Sequence, residues 1–396
     1  MDADFSYESL VSRYFMIEDI TLGTAQQNFL VRYRGHLRVE DSAAAYDHLA
    51  SLLAPQGVTP LFRQEGEQQV ILLVPGKPAP KPSNPWINLG LFILTLFSVA
   101  LSGALYGLEN PLTGNLWQDM GMVFSRGWPF AASLLAILGA HEFGHYLVGR
   151  YNGVHVTLPY FIPFPFSPFG TMGAFINMKE TPKNRRVLLD IGLAGPLSGL
   201  AVAIPVLILG LALSSIDRIP LTLPSGTSLQ LEGNSILYLL LKYLMFGQLL
   251  PAPASFGSLP PALYWLQYFF TGRPYPLGGV DVMLHPVAWA GWAGILVTAL
   301  NLIPAGQLDG GHAMYVLFGA KKMRRMLPVI LVVLVVMGFI WNGWWLWAAL
   351  IFWLGRAHAE PLDQITPLDA RRKWLAILAI LLFFLVFTPV PLNVLM

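Results

Sequence analysis

The sequence predicts a polytopic α-helical membrane protein with a small α+β domain at its N-terminus, and its composition carries this prediction. Of the 396 residues, 55% are hydrophobic and only 12% are charged, which is about half the charged fraction of a soluble domain. The mean hydropathy is +0.56, and several apolar runs reach the ~20 residues with which a helix crosses a bilayer. The lipid bilayer is therefore the expected surrounding of most of the chain.

Composition also excludes several classes of function. The net charge is only +2, and no dense basic patch interleaved with aromatic residues is present, so no nucleic-acid partner is expected. The sequence contains no cysteine, which rules out disulfides, a thiolate metal site and a cysteine nucleophile.

Residues 1–75 are predicted to form a small soluble βαββ domain. The segment 27–35 reads as a strand, and 40–53 reads as a helix with acidic residues in its first turn. The stretches VTPLFRQ and QQVILLV then alternate like two strands around a turn. The Pro-rich segment 76–85 is expected to be a stiff linker into a transmembrane domain at 86–396.

The apolar segments of the second domain predict six or seven transmembrane helices, because the short pair at 327–355 shares a turn and has the pattern of a tight hairpin. The segment 158–170 is too rich in proline for a helix, so we expect a membrane-embedded β-like loop there. The segment 235–247 is about half a span long. The expected spans are 86–107, 128–149, 188–213, 284–306, 327–341, 343–355 and 373–391.

The distribution of Lys and Arg predicts the orientation in the membrane. One alternating topology places most of these residues on a single side and leaves only Arg126, Arg218, Lys242 and Arg273 on the other. The populated side is expected to be the cytoplasm or its equivalent, and the N-terminal domain is expected on that side.

The second predicted span contains the motif His141-Glu142-Phe143-Gly144-His145. Positions i and i+4 of a helix differ by about 40° around its axis, so both imidazoles project from one face and can bind one Zn²⁺. Zinc lowers the pKa of a bound water to ~7 and polarises a carbonyl. Glu142 is offset by one residue, and we expect it to act as the general base and then the general acid. Ionisable residues within a span usually serve function.

Two histidines leave a catalytic zinc one protein ligand short. The fourth predicted span ends in the segment NLIPAGQLDGGH, which starts at Asn301 and contains Asp309 and His312. Under the predicted topology Asp309 lies about level with the histidine pair. His312 follows three residues later, and spacing leaves both residues open as the third ligand.

HEFGH in a transmembrane segment, followed by NLIPAGQLDGGH, resembles the site-2 protease family of intramembrane zinc metalloproteases, in particular its bacterial and plastid branch with a soluble N-terminal domain. The resemblance covers about residues 86–320. It implies one zinc ion per chain, held by His141, His145 and Asp309, with Glu142 as catalytic residue and Asn301 holding the substrate backbone. It also implies that the substrate is a transmembrane protein or peptide, cut within or near its membrane segment, in a bacterial inner membrane or a thylakoid-type membrane.

Gly170, Thr171, Met172, Gly173 and Ala174 resemble the GTxGA segment of the same family. A helical substrate must unwind before its carbonyl can be attacked, and an exposed strand edge can pair with the unwound segment. These five residues are therefore expected to bind substrate, although a Gly-rich turn that only closes the cavity is the alternative.

The segment 192–197 resembles the AGP motif of the family's third span, and its small residues are expected to allow close helix packing. The segment 214–283 lacks the strand and helix alternation of a PDZ domain, so substrate screening by such a domain is not implied. The N-terminal domain is open to two interpretations, a regulatory module or an inert folding cap.

Two other classes of function compete with a protease. Intramembrane His, Glu and Asp residues also build ion and proton pathways, but transporters usually show internal repeats, and this sequence shows none. An inactive membrane scaffold would keep the fold without the chemistry, yet His141, Glu142, His145 and Asp309 are all present.

Overall fold

The computed structural model describes residues 2–24, 26–76, 82–106, 114–221, 229–274, 276–355 and 360–395. The first part of the chain forms an antiparallel sheet of four strands in the order β1-β2-β4-β3. Its elements are α1 (Asp2–Val11), β1 (Phe15–Leu22), β2 (Val31–Leu37), α2 (Ser42–Leu53), β3 (Val58–Glu65) and β4 (Gln68–Pro75).

This arrangement differs from the expected βαββ unit, because α1 and β1 precede the predicted elements and β2 begins later than residue 27. The strand β1 lies at an edge of the sheet and its pairing with β2 is interrupted by an irregularity between Ile17 and Asp19. It exposes Met16, Ile20 and Leu22. The alternation of buried and exposed residues on which strand prediction rests is therefore missing from β1.

The helix α2 covers one face of the sheet. Its first turn is capped by Asp41, whose side chain accepts hydrogen bonds from the backbone N–H groups of Ala43 and Ala44. Leu49 and Leu53 are fully buried in the same core cluster as residues of the strands. The domain boundaries at residues 75 and 85 stay a prediction, and half of the expected linker, residues 77–81, lies outside the described residues.

The rest of the chain is mainly helical. Its helices are α3 (Pro85–Leu105), α4 (Leu116–Tyr151), α5 (Arg185–Ala212), α6 (Ile236–Phe246), α7 (Pro261–Thr271), α8 (Pro286–Asn301), α9 (Asp309–Gly338), α10 (Gly343–Leu354) and α11 (Ala370–Val386). Among the described residues, three antiparallel strand pairs connect them. These strands are β5 (Tyr160–Pro163) with β6 (Thr171–Phe175), β7 (Ser215–Arg218) with β9 (Val280–Met283), and β8 (Leu229–Glu232) with β10 (Leu392–Leu395).

Within the described residues, three helices are long and apolar enough to cross a membrane, namely α3, α4 and α5. The helices α6, α8 and α10 are apolar but shorter. The helix α9 is kinked at Gly319, so the expected span 327–341 forms part of its second half. The prediction that 158–170 is not helical is confirmed, because this segment forms β5 and a turn. The count of six or seven spans stays a prediction.

The helix α5 lies at the centre of the membrane part, between α4 and α8, and glycines let these helices approach closely. A Cβ atom added at Gly210 of α5 would lie 2.1 Å from the backbone nitrogen of Ala288 in α8. One added at Gly291 of α8 would lie 2.7 Å from the Cα of Leu207. Small residues at helix contacts are typical of helix packing in membranes.

A short extended segment after α10 joins the N-terminal sheet to the start of α5. On one side Leu362 accepts a backbone hydrogen bond from Phe62 of β3 at 3.0 Å, and Gln364 donates one back to Phe62 at 3.0 Å. On the other side Asp363 donates to the carbonyl of Lys183 at 2.7 Å. The residue after Lys183 is Asn184, which caps α5. The N-terminal sheet is thus connected to α5 through main-chain hydrogen bonds.

Candidate metal centre

Two helices bring three side chains of the predicted zinc site together. His141 and His145 lie one turn apart on α4, and Asp309 is the first residue of α9. The Nε2 atoms of the two imidazoles are 3.2 Å apart. The Oδ2 atom of Asp309 lies 3.3 Å from the Nε2 of His141 and 3.4 Å from that of His145.

These distances fit a zinc ion. Tetrahedral zinc holds each nitrogen or oxygen ligand at ~2.0–2.2 Å, so neighbouring ligand atoms are about 3.3–3.5 Å apart. The three ligand atoms of this group are 3.2, 3.3 and 3.4 Å apart. Both histidines are buried, so no bulk water competes for their nitrogens. The donor set of two imidazoles and one carboxylate is one that catalytic zinc sites use.

His145 is oriented by α5. Its Nδ1 lies 2.7 Å from the carbonyl oxygen of Ile191, and a carbonyl can only accept, so Nδ1 carries the proton. The lone pair is then on Nε2, which faces Asp309. Partners of this kind fix the tautomer and the ring orientation of metal-binding histidines.

Two glycines of α5 lie against the imidazoles, and because glycine has no side chain, they leave the space that the two rings occupy. A Cβ atom added at Gly195 would lie 2.0 Å from the Nε2 of His145, and one added at Gly199 would lie 3.1 Å from the Nδ1 of His141. The sequence analysis assigned the glycines of 192–197 to helix packing alone. Gly195 and Gly199 are four residues apart, as are the two histidines, and this match is the signal that would have predicted the contact.

Glu142 lies beside the three ligands and lines the same cavity of about 200 Å³. Its side chain is buried, and Ile176 lines the same cavity. The carboxylate therefore lies next to the histidines and the aspartate, but it is not one of the side chains that could bind the metal ion together. This arrangement matches the offset that the motif predicted for a general base.

His312, the rival third ligand, occupies a different position. It lines the cavity and is buried, and it packs against Gly192 of α5. In the described part of the chain, the only group of three metal-binding side chains is His141, His145 and Asp309. The geometry therefore favours Asp309.

The residues expected to bind substrate separate into two groups. Asn301 lies with its Nδ2 atom 3.3 Å from the Nε2 of His141, and Ala174 lines the cavity. Gly170 packs instead on α3, where its carbonyl accepts a hydrogen bond from Ser98 at 2.5 Å. Thr171 donates to the carbonyl of Ile162 at 2.7 Å and closes the β5–β6 hairpin.

The remaining two residues of this segment do not line the cavity either. Met172 is 66% exposed. Gly173 has φ +100°, a conformation that favours glycine. It donates its backbone N–H to Thr171 Oγ1 at 2.9 Å.

Sequence reasoning missed several residues of the cavity wall. Phe175 is the last residue of β6, Ile176 follows it, and Gln307 lies in the loop before α9. No sequence signal separates Phe175 from the neighbouring residues, because the path of the hairpin decides which end of β6 meets α4.

Long apolar helices around a buried His–His–Asp group with an adjacent glutamate define a class of protein, the integral membrane metallopeptidases with an HExxH motif. The model of Peptidase family M50 matches residues 129–341, which is more than half of the chain. The chain therefore belongs to peptidase family M50, the site-2 protease family of zinc metalloproteases, and the resemblance drawn from the two motifs is confirmed. The class of enzyme and the metal that the two motifs predict agree with this family.

The chain is similar to chloroplast proteins named as probable zinc metalloproteases. It is 28% identical over 337 residues to EGY2 of Arabidopsis thaliana, covering 84% of this chain and 54% of that protein. It is 31% identical over 258 residues to EGY1 of Oryza sativa subsp. japonica, covering 61% of this chain and 39% of that protein. The chain thus spans about half the length of the curated relatives it matches. No solved structure matches it significantly.

Proposed function

We propose that this protein hydrolyses peptide bonds within or near the transmembrane segments of membrane-protein substrates. In this proposal His141, His145 and Asp309 hold one zinc ion, and Glu142 is the general base and acid. One observation carries it: three ligand atoms at zinc spacing meet beside a buried carboxylate, and the two histidines lie on α4, a helix that is long and apolar enough to cross a membrane. Ionisable groups at such a position usually serve chemistry.

The groups that line the cavity have separate roles in the proposed reaction. Zinc, when bound, supplies a Lewis acid and a water of lowered pKa. The carboxylate of Glu142 accepts a proton from the water and then donates it to the departing amine. Glu142 lines the same cavity as the three ligands. Asn301, next to His141, has an amide group that can donate to the substrate carbonyl.

Substrate binding is proposed along β6. Within the described residues, β6 pairs only with β5, so its second edge is available to an unwound peptide. Ala174 and Phe175 at its end line the cavity. Gly170, Thr171 and Gly173 then serve the hairpin itself, and Met172 faces away from the cavity wall.

We further propose six or seven spans, with the N-terminal sheet on the cytoplasmic side or its equivalent. Support comes from the described cations Arg150, Lys179, Lys183 and Arg371, which lie at the same helix ends as that sheet under the predicted topology. Lys77, Lys81 and Arg356, which entered the same prediction, lie outside the described residues. The relatives are named as chloroplastic, and the proposed location is a thylakoid-type membrane or a bacterial inner membrane.

The test uses purified protein reconstituted with a single-span substrate. The variant Glu142→Gln is expected to bind zinc like the wild type and to lose cleavage, because the amide cannot accept a proton. The variant His141→Ala is expected to lose both. Glu180→Gln is the matched control, since Glu180 pairs with His155 at 2.7 Å away from the cavity, and it should keep both properties. Cleavage by Glu142→Gln at the wild-type rate would refute the mechanism.

A further inference from the structure

The helix α9 is bent at Gly319, which has φ +77° and ψ +166°. This conformation is in the region that L side chains rarely adopt, and glycine permits it. The first half of α9 begins at Asp309 in the metal centre. The second half opens with four cations in five residues, Lys321, Lys322, Arg324 and Arg325. We call these four residues the basic cluster.

All four side chains of the basic cluster are exposed. Among the ion pairs formed by the described residues, none includes any of them. Cations near the start of a helical segment also gain nothing from the helix dipole, which is positive at that end. The cluster therefore lacks an anionic partner among the described residues, and an external anion can approach it.

An apolar crevice of about 290 Å³ opens at the same bend. Phe318 lines it just before the kink, and Met326 lines it directly after Arg325. Phe383 of α11 forms the opposite wall. Met326 is the residue after Arg325, and one helical turn advances only ~5.4 Å. The crevice therefore opens next to the basic cluster.

The surface that continues from the basic cluster along α9 is apolar and open. Val329, Val332, Val333 and Val336 are each more than half exposed. Such a face suits hydrocarbon, and cations directly above it belong at the level of lipid headgroups. A soluble anion could bind the basic cluster, but it would leave the crevice and the exposed valines uncovered.

We propose that the bend of α9 is a binding site for one phospholipid with an anionic headgroup. The headgroup lies against the basic cluster, and one acyl chain occupies the crevice between α9 and α11. The inner wall of this crevice includes Gly310 and Ala313, which belong to the turn that starts at Asp309. The bound chain would thus support the back of the helix turn that carries this carboxylate.

The test measures lipid retention by the full chain in mild detergent, by native mass spectrometry, with phosphatidylglycerol and phosphatidylcholine of identical acyl chains. We expect a preference of roughly tenfold or more for phosphatidylglycerol. Lys321→Gln with Lys322→Gln should lower this preference severalfold. Arg13→Gln with Arg38→Gln removes two exposed cations of the N-terminal sheet region and should leave it unchanged.

Two further arms separate a lipid site from a site for a free anion. Ile380→Trp fills the crevice from α11, where Ile380 is one of its lining residues, and should abolish retention without changing any charge. Soluble glycerophosphoglycerol in excess should not displace the lipid. Equal retention of the two lipids by the wild type would overturn the proposal, and so would unchanged retention by Ile380→Trp or displacement by the soluble headgroup. The comparison of lipids needs only wild-type protein, so misfolding of a variant cannot obscure the result.

Discussion

Gly195→Ala is expected to disrupt the metal centre although residue 195 is not a ligand. The added Cβ atom would lie 2.0 Å from the Nε2 of His145, 2.4 Å from its Cδ2 and 2.5 Å from its Cε1. The imidazole cannot turn away freely, because its Nδ1 is bonded to the Ile191 carbonyl. Either His145 or the whole of α5 must move.

The size of the displacement sets the size of the effect. Ordinary contact of a Cβ atom begins near 3.4 Å, so His145 and residue 195 must separate by about 1.4 Å. A zinc site tolerates ligand shifts of only ~0.2 Å. Removing a partner that merely orients a ligand costs about 10–100-fold in metal affinity. Loss of the ligand position itself should cost at least ~100-fold, or about 2.8 kcal/mol.

The assay is zinc competition against a chromogenic chelator, together with the ratio of zinc to protein by elemental analysis. Gly139→Ala is the matched control, because Gly139 lies on α4 near the histidines and an added Cβ meets nothing within 4 Å. Gly199→Ala is expected to be intermediate, since its Cβ would lie 3.1 Å from the Nδ1 of His141. Equal zinc affinity of the Gly195→Ala and Gly139→Ala proteins would refute this reasoning.

Three further predictions follow from contacts around the site. Arg372 binds Asp190 at 2.6 Å, and because both are partly exposed, a double-mutant cycle of Arg372→Gln and Asp190→Asn should give a coupling of about 1 kcal/mol in thermal unfolding. Burial raises the pKa of Asp363, so the folded state binds more protons. Its contribution to stability is complete below the ordinary carboxyl pKa and is lost as the pH rises through the raised one. Limited proteolysis should therefore release the N-terminal sheet more readily at higher pH, and less so in Asp363→Asn. Asn301→Ala should lower kcat/KM for the reconstituted substrate with zinc retained, whereas Met172→Ala should change neither.

Each of these has a contrary result. Additive effects of Arg372→Gln and Asp190→Asn would mean that the ion pair contributes nothing. An unchanged pH profile in Asp363→Asn would assign the dependence to another group. Equal loss of activity in the Asn301 and Met172 variants would reject the division of the predicted substrate residues.

The sequence predicted those parts of the molecule that depend on local geometry. His141 and His145 share a face because any helix places i and i+4 together. The helix α2 was predicted from acidic residues at its start, and the structure begins it at Ser42 with Asp41 as the N-cap. The edge strand β1 was not predicted. Its apolar residues Ile20 and Leu22 are exposed, so the apolar residues of this segment do not mark a buried face.

The choice between Asp309 and His312 illustrates the limit of such reasoning. Both follow the same apolar helix within three residues, and either side chain can bind zinc. The path of the loop 302–308 determines which of the two side chains faces the histidine pair. It brings Asp309 against the imidazoles and turns His312 toward Gly192. A loop path depends on tertiary packing, which no spacing rule contains.

The helix α5 supplies none of the proposed ligands, yet it controls the geometry of the site. Its Ile191 carbonyl sets the tautomer of His145, and its Gly195 leaves the space for that ring. The residue before Ile191 is Asp190, which Arg372 ties to α11. The segment that precedes α11 is the same one that pairs with β3 of the N-terminal sheet. The contacts of the N-terminal sheet therefore reach the helix that orients a zinc ligand, and this favours a regulatory module over an inert cap.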